Sequence, residues 1–162
     1  MVTLLPPDWR GFFEALRAAR VEFVVIGGLA LAAHAEPRYT EDVDVLVRRQ
    51  RANGVRLRKA LIAFGFGAVA PAADEILDPD RVWMLGRKPL RIDILTGISG
   101  VTWSRVWAHH IDVEIDGLTL PVIGREELIA NKRAAGRPKD LLDLAMLART
   151  ARPTAKPRPK RR

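Results

Sequence analysis

Three carboxylates carry the first chemical signal. Asp42 and Asp44 stand two residues apart in Thr40-Glu41-Asp42-Val43-Asp44-Val45-Leu46-Val47. On a strand, side chains at i and i+2 share a face, with Cα atoms roughly 6.6 Å apart. Val43 and Val45 then point the other way, into a core. Two carboxylates so placed repel each other unless a cation sits between them. Asp93 lies in Arg91-Ile92-Asp93-Ile94-Leu95, again an acid among apolar β residues. A buried strand keeps such an acid only when it is paired, solvated or metal-bound. Hard oxygen ligands suit Mg²⁺ or Mn²⁺. Two such ions can clamp the attacking and leaving oxygens of an in-line displacement. Gly27-Gly28 supplies a second part. Glycine lets backbone come close to a ligand, and a helix N-terminus offers free N–H groups and a positive dipole end to phosphate.

The elements that must position these groups follow from periodicity. Asp8 reads as a helix N-cap, with Phe12, Phe13, Leu16 and Ala19 recurring behind it, so a first helix is expected over 8–19. Val21 to Ile26 is β-branched and aromatic and reads as a buried strand. Leu29 to Ala35 reads as a short helix that Pro37 breaks. The alternating 42–47 segment is a strand. Gln50 to Phe64 reads as a basic amphipathic helix with Val55, Leu57, Leu61, Ile62 and Phe64 as its apolar residues, ended by Gly65 and Gly67. Residues 68–81 show little period and suggest loop or weak strand. Val82–Leu85 and Leu90–Leu95 flank a Gly-Arg-Lys-Pro turn and form a hairpin. Ile111–Ile115 and Leu118–Ile123 flank Asp116-Gly117, a strong hairpin signal. A helix then opens at Gly124 and stops at Gly136, and Pro138 starts a last helix to about Arg149. The expected class is α+β: a central mixed sheet flanked by helices, with a helical C-terminal segment.

Composition narrows the function classes. The 162 residues hold 48% hydrophobic and 28% charged side chains, an ordinary globular balance. There is no cysteine, which excludes a disulfide scaffold, a thiolate zinc site and a cysteine nucleophile. No apolar run approaches the ~18 residues of a membrane helix, and no signal peptide is visible, so a cytoplasmic location without membrane contact is expected. The net charge is +8. Arg149 to Arg162 holds seven basic residues and no acid; removing those seven from 27 leaves 20 basic against 19 acidic in residues 1–148. Residues 1–148 therefore read as one domain. Residues 149–162 read as a basic, disordered tail suited to polyanions such as RNA, or as a plain solubilising end.

With these residues in view, the chain resembles the nucleotidyltransferase superfamily of DNA polymerase beta-like fold, and within it the minimal bacterial AbiEii-like toxins. The resemblance rests on Val25-Ile26-Gly27-Gly28-Leu29-Ala30-Leu31-Ala32-Ala33-His34, on Arg38-Tyr39-Thr40-Glu41-Asp42-Val43-Asp44 with thirteen residues separating Gly28 from Asp42, and on the third acid Asp93. Lys132-Arg133-Ala134-Ala135-Gly136-Arg137-Pro138-Lys139-Asp140-Leu141-Leu142-Asp143 is similar to a C-terminal segment of the same relatives. The resemblance implies that Asp42, Asp44 and Asp93 hold divalent metal, two ions in all, and that Gly27 and Gly28, with Thr40 beside them, face the triphosphate of an NTP. It implies transfer of a nucleotidyl group to a hydroxyl or phosphate, with release of pyrophosphate. Asp93 would take the acceptor's proton or ligate the second metal. Lys132, Arg137 and Lys139 would neutralise phosphate, and Lys132 and Asp140 match positions that matter in related toxins. The acceptor classes are RNA, tRNA in particular, or a protein hydroxyl, and a cognate antitoxin is an expected partner.

Each of these residues also has a plainer reading. Asp93 can be the partner of Arg91 or Arg87. Asp140 sits in a first helical turn, where the dipole favours any acid. Lys132 can be plain helix surface. Thr40 can order the turn before the strand, and Arg38 can pair with Glu36 or Glu41. His34 reads as packed or surface, and His109-His110 as surface, since neither has partners at zinc spacing. Tyr39 and Trp83 suggest core or rim packing over base stacking, and Trp103 with Trp107 reads as one buried face. A non-catalytic nucleotide-binding or partner module is the competing function. A metal-dependent nuclease is a third, but no Glu-x-Lys follows Asp93.

Overall fold

The computed structural model describes residues 4–37 and 39–150. Arg38 and most of the basic tail, residues 151–162, lie outside the described residues. Helix α1 is Pro7–Ala18, strand β1 Phe23–Ile26, helix α2 Gly27–His34, strand β2 Asp42–Val47 and helix α3 Arg51–Phe64. Strands β3 (Val82–Leu85) and β4 (Arg91–Leu95) follow, then α4 (Trp103–His109), β5 (Ile111–Ile115), β6 (Leu118–Val122), α5 (Arg125–Ala135) and α6 (Pro138–Arg149).

The six strands form one mixed sheet in the order β3-β4-β2-β1-β6-β5. The two hairpins, β3-β4 and β5-β6, are antiparallel and sit at the two edges. β1 and β2 are antiparallel at the centre, while β1 runs parallel to β6 and β2 parallel to β4. Central strands buried on both faces read as nearly continuous apolar runs, which is the pattern of Phe23-Val24-Val25-Ile26. The register puts Phe23, Val25, Val43, Val45, Ile92 and Ile94 on one face. Stacking of Phe13 on Phe23, ring centroids 6.1 Å apart, packs α1 against that face, and Phe12 against Phe64 brings α3 beside it. Asp42, Asp44 and Asp93 therefore point from the opposite face.

Local structure departs from the sequence reading at several places. Asp8 does not cap α1. The helix starts one residue earlier with Pro6 at the N-cap and Pro7 at the first helical position, where proline's missing N–H costs nothing. β1 begins at Phe23, because the Val21 N–H is spent on the Leu16 carbonyl at the end of α1. α2 begins at Gly27 itself. In α3 the buried positions are Asn53, Gly54, Leu57, Ala60 and Leu61, while Val55 and Ile62 face solvent at 48% and 52% exposure. Asn53 sets that rotation: its side chain accepts from the Glu22 N–H at 2.8 Å and donates to the Glu22 and Arg48 carbonyls at 3.0 Å. α3 ends at Gly65 in the left-handed region, and Gly67 instead starts the first of two 3₁₀ turns, Gly67–Val69 and Ala73–Leu77. These turns replace the loop or strand expected over 68–81. Asp116-Gly117 and Gly136 have positive φ, as the hairpin and the helix stop require. No helix among the described residues is long and apolar enough to cross a membrane.

Candidate functional site

β1 passes into α2 with no intervening loop. Gly27 makes that junction at φ +69, and a Cβ there would overlap Asp44 Oδ2 and stand 2.9 Å from Asp44 Cγ. With Asp44 where it stands, glycine is the residue that fits, for conformation and for space. The first turn of α2 thus lies against the Asp44 carboxylate, and no side chain caps its free N–H groups. Gly28 faces Thr40, whose Oγ1 would meet a Cβ at 2.9 Å. Thr40 Oγ1 donates to the Asp42 carbonyl at 2.9 Å and so orders the turn into β2.

The carboxylates are brought together by strand register. β2 and β4 run parallel, with Asp44 beside Asp93 and Asp42 beside Arg91. Arg91 forks across two of the acids. Its Nε donates to Asp93 Oδ1 at 2.9 Å, and one terminal nitrogen donates to Asp93 Oδ2 at 2.9 Å and Asp42 Oδ2 at 3.1 Å. Asp93 therefore has the ion pair with Arg91 that its plainer reading offered. Asp44 receives no hydrogen bond from a described cation. Its burial, and then the charges of Asp42 and Asp93, push its carboxyl up to about 7, against a smaller opposing pull from Lys139 and Arg91. Among the described residues, no three acidic or histidine side chains stand arranged as a metal cage. The donor set is nevertheless that of a hard divalent cation: three carboxylates from one sheet face, with one guanidinium against them. The raised Asp44 carboxyl marks the negative charge that remains uncompensated, and a cation there would offset it.

A second charged cluster lies where α5 meets α6. Lys132 is 4% exposed, and its Nζ lies 3.2 Å from Asp140 Oδ1 and 2.9 Å from Asp143 Oδ2. This corrects the reading of Lys132 as helix surface. Arg137 Nε donates to Asp140 Oδ2 at 2.7 Å, and the Arg137 backbone N–H donates to the same oxygen at 3.2 Å. Burial acts to raise the Asp140 carboxyl, but hydrogen bonds from Arg137 and Lys132 outweigh it and hold the group at about 2. The Lys132 charge is thus spent inside the protein. Lys139, one residue before Asp140, is exposed, and its charge and that of Arg137 are felt at Asp44. The first turn of α6 therefore sits on the rim of the acidic cluster. Asp42, Asp44, Asp93, Gly27, Gly28 and Thr40 form one site with Arg137 and Lys139 at its edge. Lys132 and Asp140 form an adjoining buried network.

A glycine-hinged helix start pressed against paired strand carboxylates now has an independent counterpart. Residues 12–158 match the model of the family described as nucleotidyl transferase AbiEii toxin, type IV toxin–antitoxin system. The chain belongs to the AbiEii nucleotidyltransferase family. The fold is also that of a "putative nucleotidyltransferase" from Thermotoga maritima, solved by crystallography, with a TM-score of 0.55 and 16% identity over 91% of this chain and 96% of that one. No curated protein matches the chain.

Beside the site of this AbiEii-family nucleotidyltransferase lies an apolar cavity of about 330 Å³. Leu5, Trp9, Leu29 and Leu90 wall it, and it shares Gly28 and Thr40 with the site. Tyr39 is on its lip at 77% exposure, the rim position of the two expected for it. Trp83 is half-buried with Arg81 over its ring, and Trp103 stacks on Trp107 at 5.4 Å. His34 is buried, its Nε2 donating to the Ile123 carbonyl at 2.7 Å. His109 is exposed and pairs with Glu127 at 2.8 Å, as surface histidines do. His110 is not surface: it is 4% exposed beneath Trp107, because the chain turns inward there from α4 into β5. Two members of the charged clusters are not candidate site residues in the sequence, though Arg91 is offered there as a partner for Asp93. Asp143 is one helical turn beyond Asp140, and Arg91 is two residues before Asp93. Both spacings are legible as shared faces.

Proposed function

We propose that this nucleotidyltransferase moves an NMP group from an NTP to a hydroxyl of RNA, in a reaction that needs divalent metal, and that it acts as the toxin of a pair with a cognate antitoxin. The observation that carries the reading is the register of Asp44 beside Asp93 with the Gly27 backbone against Asp44. The first turn of α2 offers its free N–H groups to the β- and γ-phosphates. Asp42, Asp44 and Asp93 would hold Mg²⁺ or Mn²⁺, which supplies Lewis-acid stabilisation of charge on the transferring and leaving phosphates. Lys139 and Arg137 add positive charge at the rim. The acceptor oxygen attacks the α-phosphorus as the bond to the β-phosphate oxygen breaks. Pyrophosphate leaves, and the acceptor's proton passes to Asp93.

RNA is favoured as acceptor by the net charge of +8, most of it in a terminal stretch suited to polyanions. The toxin role and the antitoxin follow from family membership. The test is incubation with each labelled NTP, Mg²⁺ or Mn²⁺ and total bacterial RNA, beside an Asp44→Asn control. Label moving to RNA with the wild type alone supports the proposal. Label on protein changes the acceptor. Nucleotide binding without any pyrophosphate turns the chain into a binding module.

A further inference from the structure

We propose that Arg91 competes with the divalent cation for the carboxylate cluster, and that a nucleotide's polyphosphate relieves this competition, so that metal and nucleotide load together. The inference rests on the metal-dependent reading above. Arg91 engages both oxygens of Asp93 and one of Asp42, at 2.9, 2.9 and 3.1 Å. Those are oxygens a cation at this cluster would use. Carboxylate oxygens have spare lone pairs, but a dication beside the guanidinium meets like-charge repulsion at short range. Arginine cannot shed its charge near neutral pH. In this protein its positive charge is further secured by the hydrogen bonds it donates to Asp93. The competition therefore ends only when the side chain moves or gains another anion.

The structure leaves room for that movement. The Arg91 backbone is fixed by β4 and by its N–H to the Glu41 carbonyl at 3.3 Å, but its side chain is 25% exposed. Asp42 and Asp93 are less exposed, at 18% and 9%. The fork is thus the more solvent-accessible partner, open to an anion arriving from solvent. Guanidinium and phosphate make bidentate pairs as good as those with carboxylate. A polyphosphate would draw Arg91 off the acids, free Asp42 and Asp93 for metal, and keep the guanidinium beside the reacting phosphates. Arg91 is on this account a positioning residue that couples two loading steps.

The test is a titration of the full-length protein with Mn²⁺ alone, free Mn²⁺ being read by electron paramagnetic resonance. It is then repeated with a non-transferable α,β-methylene NTP present. Wild type should bind Mn²⁺ weakly alone and more tightly with the analogue, after correction for metal on free analogue. Arg91→Gln should bind Mn²⁺ alone about tenfold more tightly, the size of one lost charged hydrogen-bonded competitor, and should lose most of the coupling. Equal or weaker Mn²⁺ affinity in Arg91→Gln overturns the proposal and leaves the metal site standing. Absence of Mn²⁺ binding in wild type, Arg91→Gln and Asp44→Asn alike overturns the metal reading itself. Should Arg91→Gln fail to fold, Arg91→Lys decides. It keeps the charge without the fork, so a several-fold gain in Mn²⁺ affinity supports the competition and no gain overturns it.

Discussion

The acidic cluster on β2 and β4 and the ionic network between α5 and α6 are built from the same residue types and behave in opposite ways. The first sets Asp42, Asp44 and Asp93 against one guanidinium, and its central acid is driven up to about 7 by burial and by the other two acids. The second sets Asp140 and Asp143 against Lys132 and Arg137, and Asp140 is held at about 2 by hydrogen bonds from Arg137 and Lys132 that outweigh its burial. A buried charge is kept in a fold when a partner repays its desolvation. The α5–α6 network meets that condition with its own side chains and fastens two helices across the Gly136 turn. The β2–β4 cluster does not. Asp44 is left with a charge that burial and its two acidic neighbours disfavour, the charge that a cation would offset in the proposed function.

The sharpest way to break this contrast is to neutralise one member of each cluster. Asp44→Asn should lower nucleotide transfer by about three orders of magnitude, the upper range for losing one preorganised electrostatic group. The same variant should melt at the wild-type temperature or above it, because it removes a repelled charge. Lys132→Met should do the reverse. It leaves Asp140 and Asp143 buried without their shared cation and should cost about 3–5 kcal/mol of folding free energy in urea denaturation. If Asp44→Asn is the less stable of the two, the difference in charge balance drawn here is wrong.

What the residues disclosed before folding divides along the same line. The Asp-Val-Asp-Val alternation of 42–45 announces a shared face for Asp42 and Asp44, because strand periodicity projects directly from spacing, whereas Asp93 joins them only through the pairing of β4 with β2. Asp116-Gly117 and the Gly136–Pro138 pair are equally direct, since each meets a backbone requirement local to itself. Lys132 was not legible. It lies on a polar-looking helix, and its burial depends on α6 folding back so that Asp140 and Asp143 meet it. Asp143 carried a signal only in combination with Asp140 and Lys132. Val55 and Ile62 misled for a related reason: α3 is rotated by the buried Asn53 and by close packing at Gly54, and an apolar count alone does not see a hydrogen-bonding asparagine. The central placement of β1, between β2 and β6, arises from crossovers that no local motif encodes.

Titration sharpens the comparison further, because the two clusters respond to pH with opposite sign. Asp140 is depressed from 3.8 to about 2, so the native state binds its proton less tightly than the unfolded chain. Its contribution is complete above about pH 4 and is lost as the pH falls toward 2, a change of about 2 kcal/mol. The penalty of Asp140→Asn, read by urea denaturation, should shrink by that amount between pH 6 and pH 2. Asp44 is raised, so the native state binds its proton more tightly than the unfolded chain does. Stability should fall as the pH rises from 4 to 7 in metal-free buffer. The advantage of Asp44→Asn should therefore vanish near pH 4 and be largest above pH 7. Saturating Mn²⁺ should remove it at every pH. A flat difference across that range would mean that Asp44 carries no uncompensated charge.

The smallest expected effects come from two glycines, one at each cluster. Gly27 and Gly136 both sit in the left-handed region, at φ +69 and +61. Alanine at either position should cost about 1 kcal/mol for the backbone alone. The surroundings then separate them. At Gly136 the nearest atom to a new Cβ is the Arg133 carbonyl oxygen at 3.7 Å, an ordinary contact. Gly136→Ala should lose stability and keep wild-type Mn²⁺ affinity. At Gly27 the new Cβ collides with the Asp44 carboxylate, the mobile end of a side chain. The clash is relieved by swinging Asp44 away, so the stability loss should be similar while Mn²⁺ affinity falls several-fold. Equal Mn²⁺ affinity in the two variants would show that the approach of α2 to Asp44 is packing and nothing more. A fall in both would show that the α5–α6 turn and the acidic cluster are mechanically joined, and that the two regions cannot be treated as separate devices.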